Sequence, residues 1–523
     1  KKKKNCISVF KVTMAFSRFE VKAVFLLGLA LLSYRVEGAR RGLAGADVTV
    51  FDVTTRGVKG VGKTKTAPGA SDGVGAATTV FDVIKYGFKG DGKTNNASAS
   101  PAASPTASPN AGATAGPGAG ATPGPAAGPG PAAGATAGPG ASATAGPGVG
   151  AGATVFDVTK YGAKGDGKTD NAMMFIRAWN AACQSTGPAK VVIPEGNFMA
   201  GEVFFKGPCK CSGPIIVEVV GTVLGHTDLI QYTAGVWIGF QRIDGGLLLT
   251  GKGTFNAQGE ASWKYNDRKN NPSSPLLPIS LKFQFVKNAL VENIKLVNSK
   301  GFHMTVTSCN NFTLQGLRIT APDESPNTDG IHISRSDLVK ITNSVIGTGD
   351  DCISIGEGST NIGVSGVTCG PGHGISIGSL GRAQDKDVKG VTVTNCSLTG
   401  TTNGARIKTL TNSPQIAVSG VIYEDITMKD VKNPIIIDQH YNSKNSNKAS
   451  NVKISDVHFK NIRGTSATDV AVSLSCSEAV PCEGVELVDI DLTYSGARAA
   501  SISSSCSNAK ATFTGKQNPP ACA

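Results

Sequence analysis

A spacing of about 22 residues between polar motifs constrains the fold of this chain more than any other feature of its sequence. NTDG lies at 327–330, GDD at 349–351 and GHG at 372–374, and RIK follows at 406–408 after a longer step of 33 residues. A pair of isoleucines two residues apart follows each of the first three motifs: Ile331/Ile333, Ile353/Ile355 and Ile375/Ile377. A repeat of this length, made of short strands and turns, is typical of a solenoid in which each repeat forms one coil.

The sequence around these motifs is also that of a β-solenoid. From Val191 onwards, short β-branched runs such as IIVEVVGTVLG and VENIKLVNS are separated by Gly, Asn or Pro. One amphipathic helical segment precedes them, and its apolar face would hold Ala172, Phe175, Ile176, Trp179 and Cys183. Because the open end of a solenoid needs a cover, we predict an all-β fold, a right-handed parallel β-helix, capped by this N-terminal α-helix. The rival, an antiparallel sandwich, does not explain the period.

The first residues of the chain predict secretion. From Met14, residues 1–38 contain a charged start, an apolar core at 23–32 and small residues before Ala39. This order is that of a secretory signal peptide preceded by a short upstream stretch, and its core is too short to span a bilayer. We therefore expect an extracellular protein that acts in the cell wall.

The domain boundaries follow from changes in composition. Residues 39–97 hold two partial copies of the VFDV…GKT motif that opens the folded domain, and residues 98–153 are a tract of Ala, Gly, Pro, Ser and Thr. The tract lacks the apolar periodicity of a core and is expected to be a disordered linker. The β-helix domain is expected to cover 154–523. The role and processing of residues 39–153 stay open.

The same opening motif also matches a phosphate-binding loop. In its third copy, residues 162–169 fit the pattern GxxxxGK[ST]. Asp166 would face the phosphates, however, and no alternating strand and helix units follow, as a nucleotide-binding domain requires. We therefore interpret the segment as a strand, a Gly-rich turn and a helix start capped by Thr169 or Asp170.

Secretion makes disulfides the default state of the cysteines after Cys6. Closeness in sequence suggests three pairs: Cys352–Cys369, Cys476–Cys482 and Cys506–Cys522. Cys183 could pair with Cys209 or with Cys211, whereas Cys309 and Cys396 are expected to be free and buried. Acceptor patterns for N-linked glycosylation begin at Asn96, Asn311 and Asn395.

Three aspartates on consecutive coils predict the chemistry. Parallel strands lie ~4.8 Å apart, so Asp329, Asp350 and Asp351 would all reach one small substrate. Cleavage of a glycosidic bond needs a carboxylic acid and a carboxylate base, and close carboxylates raise the pKa of at least one of them. Each motif alone could be an ordinary turn, and the cluster could bind calcium. The nearby histidine and cations favour catalysis.

NTDG, GDD, GHG and RIK, in this order and spacing, resemble the polygalacturonases, the pectin-hydrolysing glycoside hydrolases, over about residues 154–523. Within that family the chain most resembles the plant, pollen-type exopolygalacturonases. The resemblance implies hydrolysis of α-1,4 bonds in polygalacturonate by an inverting mechanism without metal or other cofactor. It makes Asp350 the general acid, gives Asp329 and Asp351 the activation of water, and lets His373 help to keep Asp350 protonated. Inversion predicts a gap of ~6.5–9.5 Å between the acid and base carboxyls.

The resemblance also implies a set of substrate-binding residues: Arg406, Lys408, Tyr441, Asn327 and His303. Arg406 and Lys408 are two residues apart, so on a strand both face the same way. Fixed cations there would recognise the carboxylate that every galacturonate carries.

The expected partner is an acidic polysaccharide, which suits the basic excess of +7 that is left of the net charge of +13 when residues 1–38, which carry +6, are set aside. No nucleic acid or membrane partner is expected, and we predict a monomer. The alternatives are a calcium-dependent pectate lyase and a non-catalytic protein that binds the cell wall. Exo and endo action are not distinguished, but the long step before Arg406 leaves room for about eleven extra residues near 382–389, at the rim of the groove.

Overall fold

A computed structural model describes residues 53–54, 57–58, 152–267, 271, 276–442, 448–496 and 501–522. The chain divides into two units, residues 1–138 and 139–523. In the first unit, the described residues form two short antiparallel strands, β1 (Val53–Thr54) and β2 (Gly57–Val58). The signal peptide, nearly all of both partial motif copies, almost all of the linker and Asn96 lie outside the described residues.

The second unit consists mainly of short strands. In chain order they are β3 (Thr154–Asp157), β4 (Ala189–Ile193), β5 (Asn197–Ala200), β6 (Val203–Lys206), β7 (Ile215–Val219), β8 (Thr222–Gly225), β9 (Val236–Ile243), β10 (Leu247–Thr250), β11 (Thr254–Asn256), β12 (Ile279–Glu292), β13 (Lys295–Val297), β14 (Met304–Thr307), β15 (Asn310–Gln315), β16 (Arg318–Thr320), β17 (Ile331–Ser334), β18 (Asp337–Thr342), β19 (Val345–Gly347), β20 (Ile353–Ile355), β21 (Thr360–Ser365), β22 (Thr368–Cys369), β23 (Ile375–Leu380), β24 (Val388–Thr399), β25 (Asn403–Leu410), β26 (Ile416–Val431), β27 (Asn433–Tyr441), β28 (Val452–Ser466), β29 (Val470–Ser475), β30 (Cys482–Tyr494), β31 (Ser503–Ser507) and β32 (Ala509–Asn518). Among the described residues the α-helix is α1 (Ala172–Gln184), and short 3-10 helices cover Val158–Tyr161, Leu229–Gln231, Gly259–Ala261 and Trp263–Tyr265.

Each strand from β3 onwards pairs in parallel with strands of the neighbouring coils. One face, which we call the site sheet, is built from β6, β9, the first half of β12, β14, β17, β20, β23, β25, β27, β29 and β31. The remaining strands form the other faces, and the longer late strands, from β24 to β32, run around a corner between them. The predicted right-handed parallel β-helix is therefore confirmed.

The core is a stack of like side chains, one from each coil. Ile331, Ile353, Ile375 and Ala405 are successive register partners and are buried. Each buried isoleucine contributes roughly 1.5–3 kcal/mol of apolar burial, so the stack stabilises the coil spacing that the sequence repeats.

One corner of the coil explains the many Asn and Gly residues. Asn293 (φ 58), Gly316 (φ 61) and Asn343 (φ 49) occupy the same corner in consecutive coils, each in the left-handed conformation. Glycine adopts this conformation without strain, and asparagine does so more readily than other residues with a side chain. The turn residues that bound the strands in the sequence are therefore a requirement of the repeated corner.

Helix α1 covers the first coils, as the sequence predicts. Phe175, Trp179 and Cys183 are buried on its inner face. The Trp179 ring lies 4.9 Å from that of Phe205, and its Nε1 donates to the Lys206 carbonyl oxygen at 3.0 Å. The predicted cap is corrected by one residue, because Asn171 is the N-cap and makes no side-chain capping bond. The carboxylate of the preceding Asp170 accepts the N–H of Ala172 instead.

The segment that matched a phosphate loop is closed by its own aspartate. Asp166 accepts hydrogen bonds from the backbone N–H groups of Thr169 and Lys168 and from the Thr169 hydroxyl. These bonds lower the pKa of Asp166 to about 2. The N–H groups that would hold a phosphate therefore already bind a carboxylate, which agrees with the turn interpretation.

The cysteines pair as predicted, and the partner of Cys183 is Cys209 and not Cys211. The disulfides are Cys183–Cys209, Cys352–Cys369, Cys476–Cys482 and Cys506–Cys522. Among the described residues Cys309 and Cys396 are free and buried, and Cys211 is free and partly exposed. No helix in the described ranges is long and apolar enough to cross a membrane.

Replacing Trp179 with alanine is expected to lower the free energy of unfolding by about 3–5 kcal/mol, because the change opens a cavity under the cap and leaves the Lys206 carbonyl without its donor. Met173→Ala on the exposed side of the same helix, where the side chain is 56% exposed, is the matched control and is expected to cost under about 0.5 kcal/mol. Denaturant unfolding measures both. Equal losses in the two variants would contradict the cap function of the inner face.

Candidate active site

The site is assembled by the register of consecutive coils. Asp329, Asp351 and His373 each lie two residues before Ile331, Ile353 and Ile375, which are register partners in β17, β20 and β23. The backbone ladder extends through them, since the N–H of Gly330 donates to the Asp351 carbonyl at 2.9 Å. The predicted stacking of the polar motifs on one face is thus present in the structure.

Asp351 is the most tightly held carboxylate of the three. It is buried, and its Oδ2 accepts a hydrogen bond from Lys408 Nζ at 2.7 Å. Its Oδ1 accepts hydrogen bonds from Arg406 Nη2 and from the Ser376 hydroxyl. Burial opposes the charge of Asp351, but the cations Arg406 and Lys408 outweigh burial and lower its pKa to about 2. Asp351 is therefore a fixed anion.

Asp329 lies one coil away, and its surroundings raise its pKa instead of lowering it. It is also buried, and it accepts a hydrogen bond from the Ser354 hydroxyl at 2.9 Å. Burial, followed by the negative charges of Asp350 and Asp351, raises its pKa well above the ordinary value, although Lys408 acts in the opposite direction. Asp329 therefore has a far higher proton affinity than Asp351.

Asp350 is the most accessible member of the set, with 18% of its side chain exposed against 2% for Asp351. His373 Nδ1 lies 3.0 Å from its Oδ1, and Asn327 Nδ2 donates to its Oδ2 at 3.1 Å. The predicted contact between His373 and a carboxyl is present. Asn327, predicted from the family resemblance to bind substrate, thus has Asp350 as its partner.

The two glycines around His373 leave room for neighbouring coils, Gly372 for the preceding coil and Gly374 for the next one. A Cβ atom on Gly374 (φ 85) would lie 2.1 Å from the Asn403 carbonyl oxygen. A side chain at this position would push the coils apart and move the His373 contact. The GHG motif is therefore a packing requirement as well as a site motif.

Arg406 and Lys408 lie on β25 and face the same way, as predicted, but both are largely buried. Their bonds to Asp351 are therefore their main interactions. The Lys408 Nζ also lies 5.2 Å from the centre of the Tyr441 ring, within the range of a cation–π contact. Substrate binding by these three residues stays a prediction. The two cations also hold the Asp351 carboxylate.

The predicted substrate contact of His303 does not agree with its position. The side chain has no exposed surface, and its ring nitrogens face the backbone carbonyls of Thr328, Asp329 and Thr320. Burial lowers its pKa to about 4, so the ring is neutral above that pH. His303 supports the backbone of the NTDG turn instead of facing the substrate.

Sequence reasoning missed a polar file on the outer side of the site sheet. His332, Ser354, Ser376 and Arg406 are successive register partners. The first three each stand between the two isoleucines of a pair, so the signal was present in the sequence. Alternation along a strand turns the middle residue of each triplet away from the core and towards the site.

Asp350, Asp351 and His373 lie close together, since one ligand atom from each of them lies within 4.8 Å of the others. The gap of ~6.5–9.5 Å expected between the acid and base carboxyls stays a prediction. The same three residues are the one group of metal-binding geometry among the described residues. However, both oxygens of Asp351 already accept bonds from cations, and a metal ion would face the charges of Arg406 and Lys408.

The long step before Arg406 is located in a loop beside the site. From Ile375 to Lys389 the chain takes fourteen residues, whereas the paired step from Ile353 to Thr360 takes seven. The extra length in this loop is thus about seven residues rather than eleven. Its residues 381–387 are held by Asp385, whose carboxylate accepts the N–H groups of Gly381 and Arg382 at 2.9 Å each.

Two of the predicted glycosylation positions can be located. Asn311 and Asn395 are both exposed, and both lie on strands outside the site sheet. Glycosylation at these positions stays a prediction.

Comparisons with known proteins place this geometry in a family. The family model for glycosyl hydrolases family 28 matches residues 183–517. An exopolygalacturonase of Platanus acerifolia is 46% identical over 370 residues, which is 70% of this chain and 97% of that protein. A polygalacturonase of Gossypium barbadense is also 46% identical, over 70% of this chain and 90% of that protein. An exopolygalacturonase from Thermotoga maritima has the same fold, with a TM-score of 0.60, 19% identity and coverage of 69% of this chain and 90% of that one.

The unlike environments of two aspartates predict opposite stability changes. The pKa of Asp351 is lowered from 3.8 to about 2, so its charge stabilises the fold above about pH 4, and this contribution is lost as the pH falls towards 2. The pKa of Asp329 is raised, so its ionisation costs stability once the pH rises above 3.8. At pH 6, Asp351→Asn is expected to lower the free energy of unfolding by about 3–5 kcal/mol, since two buried cations lose their partner. Asp329→Asn is expected to raise it.

Thermal unfolding at pH 6 and pH 3 measures both changes. The gain from Asp329→Asn is expected to shrink at pH 3, where the wild-type carboxyl is protonated in both states. Similar losses for both variants at pH 6 would show that the two carboxyls do not differ as described.

Proposed function

The chain belongs to glycosyl hydrolases family 28, and from this premise we propose how its site cuts a pectin chain. The protein is a polygalacturonase, a glycoside hydrolase that acts on polygalacturonate. The observation that carries the mechanism is that three adjacent aspartates have different surroundings. One is partly exposed, one is buried between two cations, and one is buried without a cation bonded to it.

Asp350 is the general acid in this proposal. It is the most exposed of the three carboxyls, so it can reach the oxygen of the scissile bond, and Asn327 and His373 fix its orientation. Its proton passes to the leaving oxygen as the glycosidic C–O bond breaks. His373 completes the donor set around this carboxyl.

Asp329 and Asp351 share the activation of water. Asp351 stays ionised and orients the water molecule, because a pKa of about 2 makes it a weak base. Asp329 has the higher proton affinity and takes the proton as the water oxygen bonds to the anomeric carbon. The proton lost by Asp350 and the proton gained by Asp329 balance over one turnover.

Inversion follows in this proposal from the burial of Asp351 and Asp329. A retaining enzyme needs a carboxylate that bonds directly to the anomeric carbon. Asp351 is buried and both of its oxygens are engaged, and Asp329 is buried beneath the same surface. A water molecule above them is the remaining nucleophile.

Arg406 and Lys408 bind the galacturonate carboxylate next to the cut in this proposal, with Tyr441 beside Lys408. Arg406 has donors besides the one that bonds Asp351, and a guanidinium carries five N–H groups in all. Together the pair can therefore hold Asp351 and recognise an acidic sugar.

Exo action is the mode we propose. The support is the 46% identity to an exopolygalacturonase over 97% of its length, together with the long loop 381–387 beside the cation-bearing strand. In this proposal the loop closes one end of the binding groove, so that only a chain end can enter it.

Secretion and a monomeric state complete the proposal. The four disulfides are typical of a protein that folds in an oxidising compartment, and they agree with the signal peptide predicted from Met14. Action on the cell wall follows from the substrate. A monomer with an open site sheet suits a long polysaccharide.

Digestion of a defined pentagalacturonide tests both the activity and the mode. The purified protein is expected to release monogalacturonate from the start, because the exo mode removes one sugar at a time. Asp350→Asn is expected to bind the pentamer as tightly as the wild type and to lower kcat by at least about 10³-fold, since it loses the acid while keeping the shape. Chromatographic sizing and a binding assay give both results.

A mixture of dimer and trimer as first products would contradict the exo mode. Unsaturated products that disappear on chelation would support the lyase alternative and overturn the hydrolase mechanism. Binding without any cleavage by the wild type would support the non-catalytic alternative.

A further inference from the structure

A hydrogen-bond chain on the site sheet ends at Asp329. Nδ1 of His332 lies 2.8 Å from the Ser354 hydroxyl oxygen, and that hydroxyl donates to Asp329 Oδ2 at 2.9 Å. His332 and Ser354 are register partners in β17 and β20, so the backbone pairing itself brings them together. The corresponding serine of the next coil, Ser376, contacts Asp351 instead.

The direction of the chain is fixed by what each group can donate. In the ionised form that takes up the water proton, Asp329 only accepts, so the Ser354 hydrogen points to it. The serine oxygen then accepts from Nδ1 of His332, which must carry the ring hydrogen. Burial lowers the pKa of His332 to about 4. The positive charges of Arg382 and Lys408 also lower this pKa, whereas the negative charge of Asp351 raises it. The ring is neutral above that pH and has a single N–H to give.

The ring of His332 packs against the Phe302 ring, with 5.4 Å between centres. Gly356 leaves room for the histidine, because an added Cβ there would stand 3.0 Å from its Cε1. The Phe302 contact and the bond between Nδ1 and Ser354 together fix the orientation of the ring.

We propose that His332 is a positioning residue that acts through the Ser354 hydroxyl to orient Asp329 for proton transfer from water. This inference rests on the proposed function. Because Oδ2 of Asp329 already accepts from Ser354, the water proton goes to Oδ1. The O–H bond of water breaks, an O–H bond to Oδ1 forms, and the water oxygen keeps the electron pair with which it attacks.

The hydrogen-bond chain from His332 through Ser354 also stabilises the ionised form of Asp329 against its surroundings. Asp329 faces the negative charges of Asp350 and Asp351, with Lys408 as the opposing cation. Two donors in line stabilise the ionised form without adding a full charge. Asp351, held by two cations, is a poor base, whereas Asp329 stays able to take up and release a proton.

The matched test uses Ser354→Ala and the control Ser473→Ala. Ser473 occupies the same file four coils further on, beyond Ser376, Arg406 and Ile436. Ser354→Ala is expected to lower kcat for polygalacturonate by about tenfold to a hundredfold with KM changed less than about twofold. The acidic limb of its kcat–pH profile is expected to move to higher pH, because the ionised Asp329 loses a donor. Ser473→Ala should behave as the wild type.

A second pair of variants separates positioning from packing. His332→Leu is expected to reproduce the kcat loss and the pH shift of Ser354→Ala. His332→Asn places an amide N–H near the position of Nδ1 and is expected to recover a measurable part of both. If Ser354→Ala fails to fold, this pair decides the matter, with unfolding temperature recorded for each variant.

The inference would be overturned if Ser354→Ala and His332→Leu fold, keep the wild-type kcat and show no shift in the acidic limb of the kcat–pH profile. Equal losses in His332→Leu and His332→Asn, without a pH shift, would also overturn it, since packing alone would explain them. These results differ from failure of the proposed function, in which the wild-type protein itself would release no galacturonate.

Discussion

Parallel, in-register pairing of β17, β20, β23 and β25 is the constraint on which the site depends. It holds Asp329, Asp351 and His373 at the same position in consecutive coils, and it places His332, Ser354, Ser376 and Arg406 in one outward file. A slip of one residue in any coil would exchange its inward and outward side chains. The stack of buried isoleucines makes such a slip costly, so the core fixes the geometry of the chemistry.

The pairing of Asp351 with Arg406 and Lys408 converts this geometry into a difference between carboxyls. Burial of three charges is expensive and is tolerated when they satisfy each other. With both cations bonded to Asp351, the carboxylate of Asp329 accepts a hydrogen bond from a neutral group, the Ser354 hydroxyl, and Asp350 stays partly exposed. The proposed mechanism uses these three environments as a fixed anion, a proton acceptor and an acid. Equal environments would give three carboxyls with overlapping proton affinities and no division of function.

Much of this arrangement was predictable from the sequence, because it depends on spacing. The 22-residue period predicts the coils and the stacking of Asp329, Asp351 and His373. The helical pattern around Trp179 predicts the cap, and close cysteines such as Cys476 and Cys482 predict disulfides. The stacking and the cap depend on which residues share a face, and the period of the sequence pattern shows this. The disulfide depends on closeness along the chain.

What could not be predicted depends on contacts across coils. The burial of His303 and the bonds of Arg406 to Asp351 are set by which neighbours fill the space around each side chain. The separation of Asp350 from Asp351 depends on the turn conformation of GDD, and the spacing does not encode it. His332 and Ser354 were readable as the middle residues of their isoleucine triplets, but only the register shows that they touch.

The central claim is that burial of Asp329 and Asp351 leaves water as the nucleophile. Proton NMR of the first product of digestion tests this most directly, before the sugar ring equilibrates in solution. The account predicts that cleavage of the α-linked substrate first yields the β-anomer of the newly formed reducing end. Initial appearance of the α-anomer would show a covalent intermediate and contradict the account.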